Sequence, residues 1–223
     1  MQNSARNSRI SSTNRSRLHD RILLSRTHGT HHPVSDGGSP GARGVNSTLR
    51  IASLSSYIDH FPADLPDKTF AFATISKLLE SLELAYGPQG GRGTALRVGR
   101  ACFPYGLREY GTLLGFTELA FKLLPFPNRL RKGANTLAGF FNDHTDQRVR
   151  VEENEGMLSW SIERCPLCWQ RKANEPVCHL AVGLIQESLY WLSSGKIFDV
   201  EETTCIARGD PACTILVDPT PIS

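Results

Sequence analysis

At 223 residues, 39% hydrophobic and 21% charged, the chain has room for one domain of ordinary size with an appendage, or for two small domains. No apolar run approaches the roughly 18 residues that a membrane-spanning helix needs, which excludes a helical membrane protein. The formal net charge of +3 is unevenly spread: the first 50 residues hold eight Arg and two Asp, so the remainder is mildly acidic.

Residues 1–48 are rich in Ser, Asn, Gly and Arg, with almost no periodic apolar residues, and read as a disordered basic tail. An Arg- and Ser-rich start also has the composition of an organellar transit peptide or of a basic arm for nucleic acid or anionic lipid, or it lies upstream of the true start. The tail lacks a regular amphipathic stripe and aromatic interleaving, so no nucleic-acid partner is expected. Ile22-Leu23-Leu24 is too short for a secretory apolar core. A reducing cytoplasm is therefore expected, where six cysteines serve as thiols or metal ligands rather than as disulfides.

Residues 49–218 read as one domain. Thr48–Phe61 is a mixed apolar lead-in or a strand. Asp67 is placed to cap a helix over Lys68–Tyr86, with Phe70, Ile75, Leu78, Leu79, Leu82 and Ala85 at helical spacing and Gly87-Pro88 as the stop. Gly87–Gly93 reads as a loop and has neither the frame of a dinucleotide fingerprint nor a Gly-Lys-Ser/Thr. A second helical segment follows from Thr94, disturbed at Pro104. A third runs from about Phe116, breaks at Pro125 and Pro127, and resumes to Phe141. Alternation over Gln147–Glu153 and Met157–Glu163, around Asn154-Glu155-Gly156, is a hairpin signature. Pro176 opens a helix to about Ser194, closed by Gly195. Ile197–Thr204 and Cys213–Val217 form two further strands. The fold class is α+β, with an antiparallel sheet from C-terminal hairpins packed against helices.

The cysteines carry the chemistry. Cys178, Val182, Ile185, Leu189 and Leu192 fall on one apolar helical face, which aims Cys178 at the core and turns His179 off that face. Cys205 and Cys213 flank a turn centred on Gly209, so pairing about that centre sets them opposite one another. Glu202 lies near the end of the same strand. Three thiolates and one carboxylate at one tetrahedral centre suit zinc and exclude magnesium and calcium; a closed set of four ligands is a structural site. Buried cysteines acting as small hydrophobes, or a Cys205–Cys213 disulfide, fit the same spacing. Cys165-Pro-Leu-Cys168 is a rival Cys-x2-Cys motif, either a second metal site with Cys178 and His179 or a redox pair without the expected βα frame. Cys102 reads as core.

The run Pro176-Val-Cys-His, Gly183, Gly195-Lys, then Val200-Glu-Glu-Thr-Thr-Cys205-Ile-Ala-Arg-Gly-Asp-Pro-Ala-Cys213 resembles the 4-vinyl reductase domain. That family includes bacteriochlorophyll 4-vinyl reductase-like and hydrocarbon-binding proteins and the sensor domains of phenol-responsive activators. The resemblance covers 165–218 well and the helical region as a general pattern. It implies zinc at Cys178, Glu202, Cys205 and Cys213, although Glu201 stands beside Glu202 and the Cys165/Cys168 pair lies outside the sensor pattern. It also implies a cavity for a phenol, another hydrocarbon or a tetrapyrrole, with Phe116, Phe121, Phe140, Phe141, Trp160 and Trp191 as candidate lining. The expected function is a zinc-stabilised ligand-binding or sensing domain acting through a homodimer or a regulatory partner. The alternative is an enzyme or accessory carrier in bacteriochlorophyll biosynthesis. Independent reduction of a vinyl group is disfavoured, because no nicotinamide or flavin fingerprint is evident.

Overall fold

The computed structural model describes residues 42–60 and 71–222. Helix α1 spans Ala42–Ile51 and a 3-10 turn spans Ser55–Tyr57, where the sequence suggests a tail to residue 48 followed by a lead-in or strand. Thr48 and Leu49 are buried in α1, and the Thr48 hydroxyl donates to the Gly44 carbonyl, so the ordered chain begins ahead of residue 48. Residues 1–41, and Asp67 and Phe70 of the expected first long helix, lie outside the described residues.

Helix α2 spans Phe72–Tyr110 and breaks at Gly87 (φ 72°, ψ 167°). The expected stop at Gly87-Pro88 is thus a real interruption, but the loop over Gly87–Gly93 is not. Pro88 opens a new helical segment, where its missing N–H costs nothing and its fixed φ favours the first turn. Only glycine takes the left-handed conformation at residue 87 without strain. A short helix α3, Leu119–Lys122, precedes α4, Phe126–His144, which starts with Pro127 in its first turn.

Strands β1 (Arg148–Asn154) and β2 (Met157–Arg164) form the expected hairpin, turning at Glu155 and Gly156 with both φ positive. Helix α5 is His179–Leu192, shorter than the span opened by Pro176; Cys178 takes the capping position. Strands β3 (Phe198–Thr204) and β4 (Cys213–Pro221) follow, separated by a 3-10 turn at Ile206–Arg208. All pairings are antiparallel, in the order β1-β2-β4-β3. The architecture is therefore α+β, with one face of the sheet covered by helices, as the alternation in the sequence implies.

Val149, Leu158, Trp160, Ile162, Val200, Ile215 and Val217 bury the inner face of the sheet. On it lies α5, whose Val182, Ile185, Leu189 and Leu192 are all buried as the helical spacing predicts. Helix α2 crosses α5 at two glycines. A Cβ on Gly99 would run into the Leu180 carbonyl, and one on Gly183 into the Leu96 carbonyl. The two backbones touch there, and this contact fixes the height of α5 above the sheet. Among the described residues no helix is long and apolar enough to cross a membrane.

Candidate metal centre

Three segments converge at the N-terminal end of α5. The first is the loop after β2, in which Cys165, Pro166, Leu167 and Cys168 are all buried. The second is the start of α5, where the Cys178 side chain turns inward. The third is the β3–β4 hairpin with Glu202, Cys205 and Cys213.

The hairpin owes its arrangement to an irregularity in register. Glu201 pairs with Leu216 and Glu202 with Ile215, but Thr204 pairs with Thr214, so Thr203 is an extra residue. In a regular strand Glu202 and Cys205 would point to opposite faces, because successive side chains alternate. The bulge resets that alternation. Phe198, Val200 and Glu202 face inward, and so does Cys205 after the bulge. The pairing of Thr204 with Thr214 is centred on Gly209, and Cys205 and Cys213 meet beyond it with Sγ atoms 3.8 Å apart. Of the two adjacent glutamates, Glu201 is exposed and Glu202 is 7% exposed.

The five thiols touch in a connected set. Cys178 Sγ lies 3.5 Å from Cys165, 3.6 Å from Cys213 and 3.9 Å from Cys205. Cys213 Sγ lies 3.4 Å from Cys168. These separations exclude disulfides, whose sulfurs sit at about 2.05 Å, and all five thiols are unpaired in that sense. They match the edge of a tetrahedron of thiolates around zinc, about 3.8 Å for a bond of 2.3 Å. Two four-residue groups satisfy metal-ligand proximity, with ligand atoms within 4.8 Å of one another: Cys165, Cys168, Cys178 and Cys213, and Cys178, Glu202, Cys205 and Cys213. The Cys-x2-Cys pair, read from sequence as a rival motif, belongs to the same cluster. His179 is not in either group.

Hydrogen bonds hold this set from outside. The Cys178 backbone N–H donates to Glu202 Oε2 at 2.6 Å. The Cys205 N–H donates to Asp210 Oδ2 at 2.8 Å, and the Ile206 N–H to Cys213 Sγ at 3.3 Å. Glu202 Oε1 is buried without a hydrogen-bond partner. Desolvation, aided by the neighbouring Cys205, pushes the Glu202 carboxyl up to about 9. The thiols divide likewise. Contacts from Cys165, Cys178, Cys205 and Cys213 push Cys168 down, while contacts led by Cys165 push Cys178 and Cys213 up. Cys205 lies at about 6, where opposition from Cys168 is outweighed by hydrogen bonds from Cys178 and Cys213. In a dry cluster, one anion forces its neighbours to keep their protons unless a cation enters. The donor set, its spacing and the orphaned Glu202 oxygen fit a soft divalent metal.

The candidate aromatics divide among different places. Trp160 lines an apolar cavity of about 30 Å³ under α5, and Phe116, Phe140 and Phe141 line a second of about 40 Å³. Leu137 and Leu184 line both cavities. Phe121 and Trp191 line neither; they stack at 6.3 Å, and both rings pack on Phe116. Cys102 is buried beside the second cavity, in keeping with its reading as core. Sequence reasoning missed a larger polar cleft of about 430 Å³, lined by Arg92, His179, Glu201, Glu202 and Arg208 among others. Burial holds His179 down at about 4. Asp210 was also missed as a support; its only sequence signal is its place in the turn.

Comparison with known proteins gives a family match and several likenesses. An uncharacterized protein of Methanocaldococcus jannaschii is 30% identical over 87 residues, 39% of this chain and 47% of that protein. The matched stretch thus spans about half the length of that relative. Among solved structures, the phenol-responsive sensory domain of the transcription activator PoxR, with phenol, has a TM-score of 0.49 at 22% identity, covering 78% of this chain and 90% of that one. An H-NOX protein from S. oneidensis has 0.48 at 11% identity, covering 82% and 98%. A trafficking protein particle complex subunit 3 from Naegleria fowleri, covalently bound to palmitic acid, has 0.41 at 16% identity, covering 78% and 95%. The family model of the 4-vinyl reductase domain matches residues 158–219. From β2 through β4, with every member of the cluster inside it, this chain is a 4-vinyl reductase domain, as the run from Pro176 to Cys213 indicates.

Proposed function

We propose that this chain is a metal-stapled module that binds a small apolar or aromatic molecule. Zinc is held by Cys178, Glu202, Cys205 and Cys213. The reading rests on one observation: three touching thiols at tetrahedral spacing beside a buried carboxylate oxygen that has no partner. All four positions come from the protein, so the ion's role is structural. When bound, it supplies the positive charge that lets these thiols ionise together. The residues themselves tie the start of α5 to the β3–β4 hairpin, and part of the metal's binding free energy becomes folding free energy.

A frame clamped at one end can keep an unfilled apolar interior at the other. The cavities of about 30 and 40 Å³ are each smaller than the roughly 150 Å³ that admits benzene. Turning the Leu137 and Leu184 side chains joins them into one chamber walled by Trp160, Phe116, Phe140 and Phe141. That size favours a single ring over a tetrapyrrole. The output passes to a partner protein or a second copy.

Thermal unfolding of the zinc-loaded chain with phenol as probe tests this, alongside Leu184→Phe and Cys205→Ser. Phenol is expected to raise the midpoint of the wild type but not of Leu184→Phe, and Cys205→Ser is expected to lose zinc and stability. A well-folded wild type without metal overturns the staple. Indifference to both phenol and toluene overturns the ligand reading, and a response to a chlorophyllide alone moves the protein to pigment handling.

A further inference from the structure

The four-residue centre leaves two of the five clustered cysteines unused. Cys165 and Cys168 are each 1% exposed, on a loop whose path into the core exposes no reactive sulfur to solvent. A redox pair needs access to a partner thiol, and burial denies it. As plain hydrophobes they have no reason to face other sulfurs, yet each touches one: Cys165 the sulfur of Cys178, Cys168 that of Cys213.

The two possible ligand groups overlap in a specific way. They share Cys178 and Cys213, whose sulfurs are 3.6 Å apart. On one side of this pair stand Cys165 and Cys168; on the other stand Cys205 and Glu202. Each shared sulfur touches a thiol on both sides, Cys178 at 3.5 and 3.9 Å, Cys213 at 3.4 and 3.8 Å. Two tetrahedra that share an edge have this connectivity, and the shared edge is a pair of bridging thiolates.

Extending the zinc reading above, we infer that the cluster is a binuclear metal–thiolate centre. Cys165 and Cys168 hold a second divalent ion, Cys205 and Glu202 hold the first, and the Cys178 and Cys213 sulfurs bridge the two. Charge supports two ions over one. Five thiolates and a carboxylate carry six negative charges in a site sealed from water. One dication offsets two of them, whereas two dications offset four, and uncompensated buried charge is costly. A sulfide-bridged iron core would have to stand between the thiolates, and these thiols already touch one another.

The test is metal content and cadmium-113 NMR on the full chain, purified without a metal-affinity step and reconstituted with zinc or cadmium alone. About two ions per chain are expected. The cadmium form should give two resonances split by each other through the shared sulfurs. A Cys165→Ser/Cys168→Ser double variant should keep about one ion and a single unsplit resonance. If the double variant does not fold, the wild-type stoichiometry and splitting decide alone. One ion per wild-type chain overturns the second site and leaves the four-residue centre standing. Two ions without mutual splitting overturn the bridging. No metal in a folded chain overturns both this inference and the zinc reading beneath it.

Discussion

Glu202 does two separable things. One oxygen accepts the Cys178 N–H at the open end of α5, and the other lies buried without a partner. Glu202→Gln keeps an acceptor for that N–H but removes the anionic ligand. The variant is expected to bind zinc more weakly, while the metal-free protein keeps its stability; competition with a chromogenic chelator and metal-free thermal unfolding read the two effects apart. An equal loss in both would return Glu202 to a purely structural role. Asp210 acts at one remove, by holding the Cys205 N–H and with it the direction of the sulfur. Outer partners of metal ligands are typically worth 10- to 100-fold in affinity. Asp210→Ala should therefore weaken zinc binding by about that factor, and unchanged affinity would show that the turn positions Cys205 unaided.

At the level of elements, the decisive contact is the crossing of α2 over α5. Gly183→Ala forces a methyl group into the Leu96 carbonyl, and neither backbone can yield without lifting α5 off the sheet. A loss of about 3 kcal/mol is expected, measured by denaturant unfolding. A loss below about 1 kcal/mol would mean that the helices separate easily. The hairpins and α5 were legible in the sequence because their burial follows a period of 2 or 3.6. Cys178 and the residues below it on α5 share one face as the spacing requires, and the Gly209-centred pairing set Cys205 against Cys213. The bulge at Thr203 was only hinted at by three-residue spacing between two inward-facing ligands. The stretch after Gly87 was misread because Gly and Pro signal a break without saying how short it is; here one glycine makes the break and the following proline restarts the helix. The place of Cys165 and Cys168 was not legible. The loop from residue 165 to residue 178 has no periodicity, and its path is fixed only by what it packs against.

For the molecule as a whole, the cluster ties three separate stretches at a point where the main core does not reach. Metal removal is therefore expected to lower the unfolding midpoint. A ligand present at 100 times its dissociation constant contributes about 2.7 kcal/mol. At a few degrees per kcal/mol for a domain of this size, the shift should be at least about 5 °C. Differential scanning calorimetry before and after dialysis against a strong chelator checks it, and coincident midpoints would mean that packing alone holds the three stretches.

The strand order has one more consequence. β4 is the latest strand in the chain, yet it lies between β2 and β3 and carries a sulfur of the cluster. During synthesis on the ribosome, β2 and β3 have no neighbour in common until Cys213–Pro221 emerges. The nascent chain must wait with α5's apolar face uncovered. Folding is then a single late event, and a nascent chain stalled before residue 213 should stay open to protease, whatever metal surrounds it.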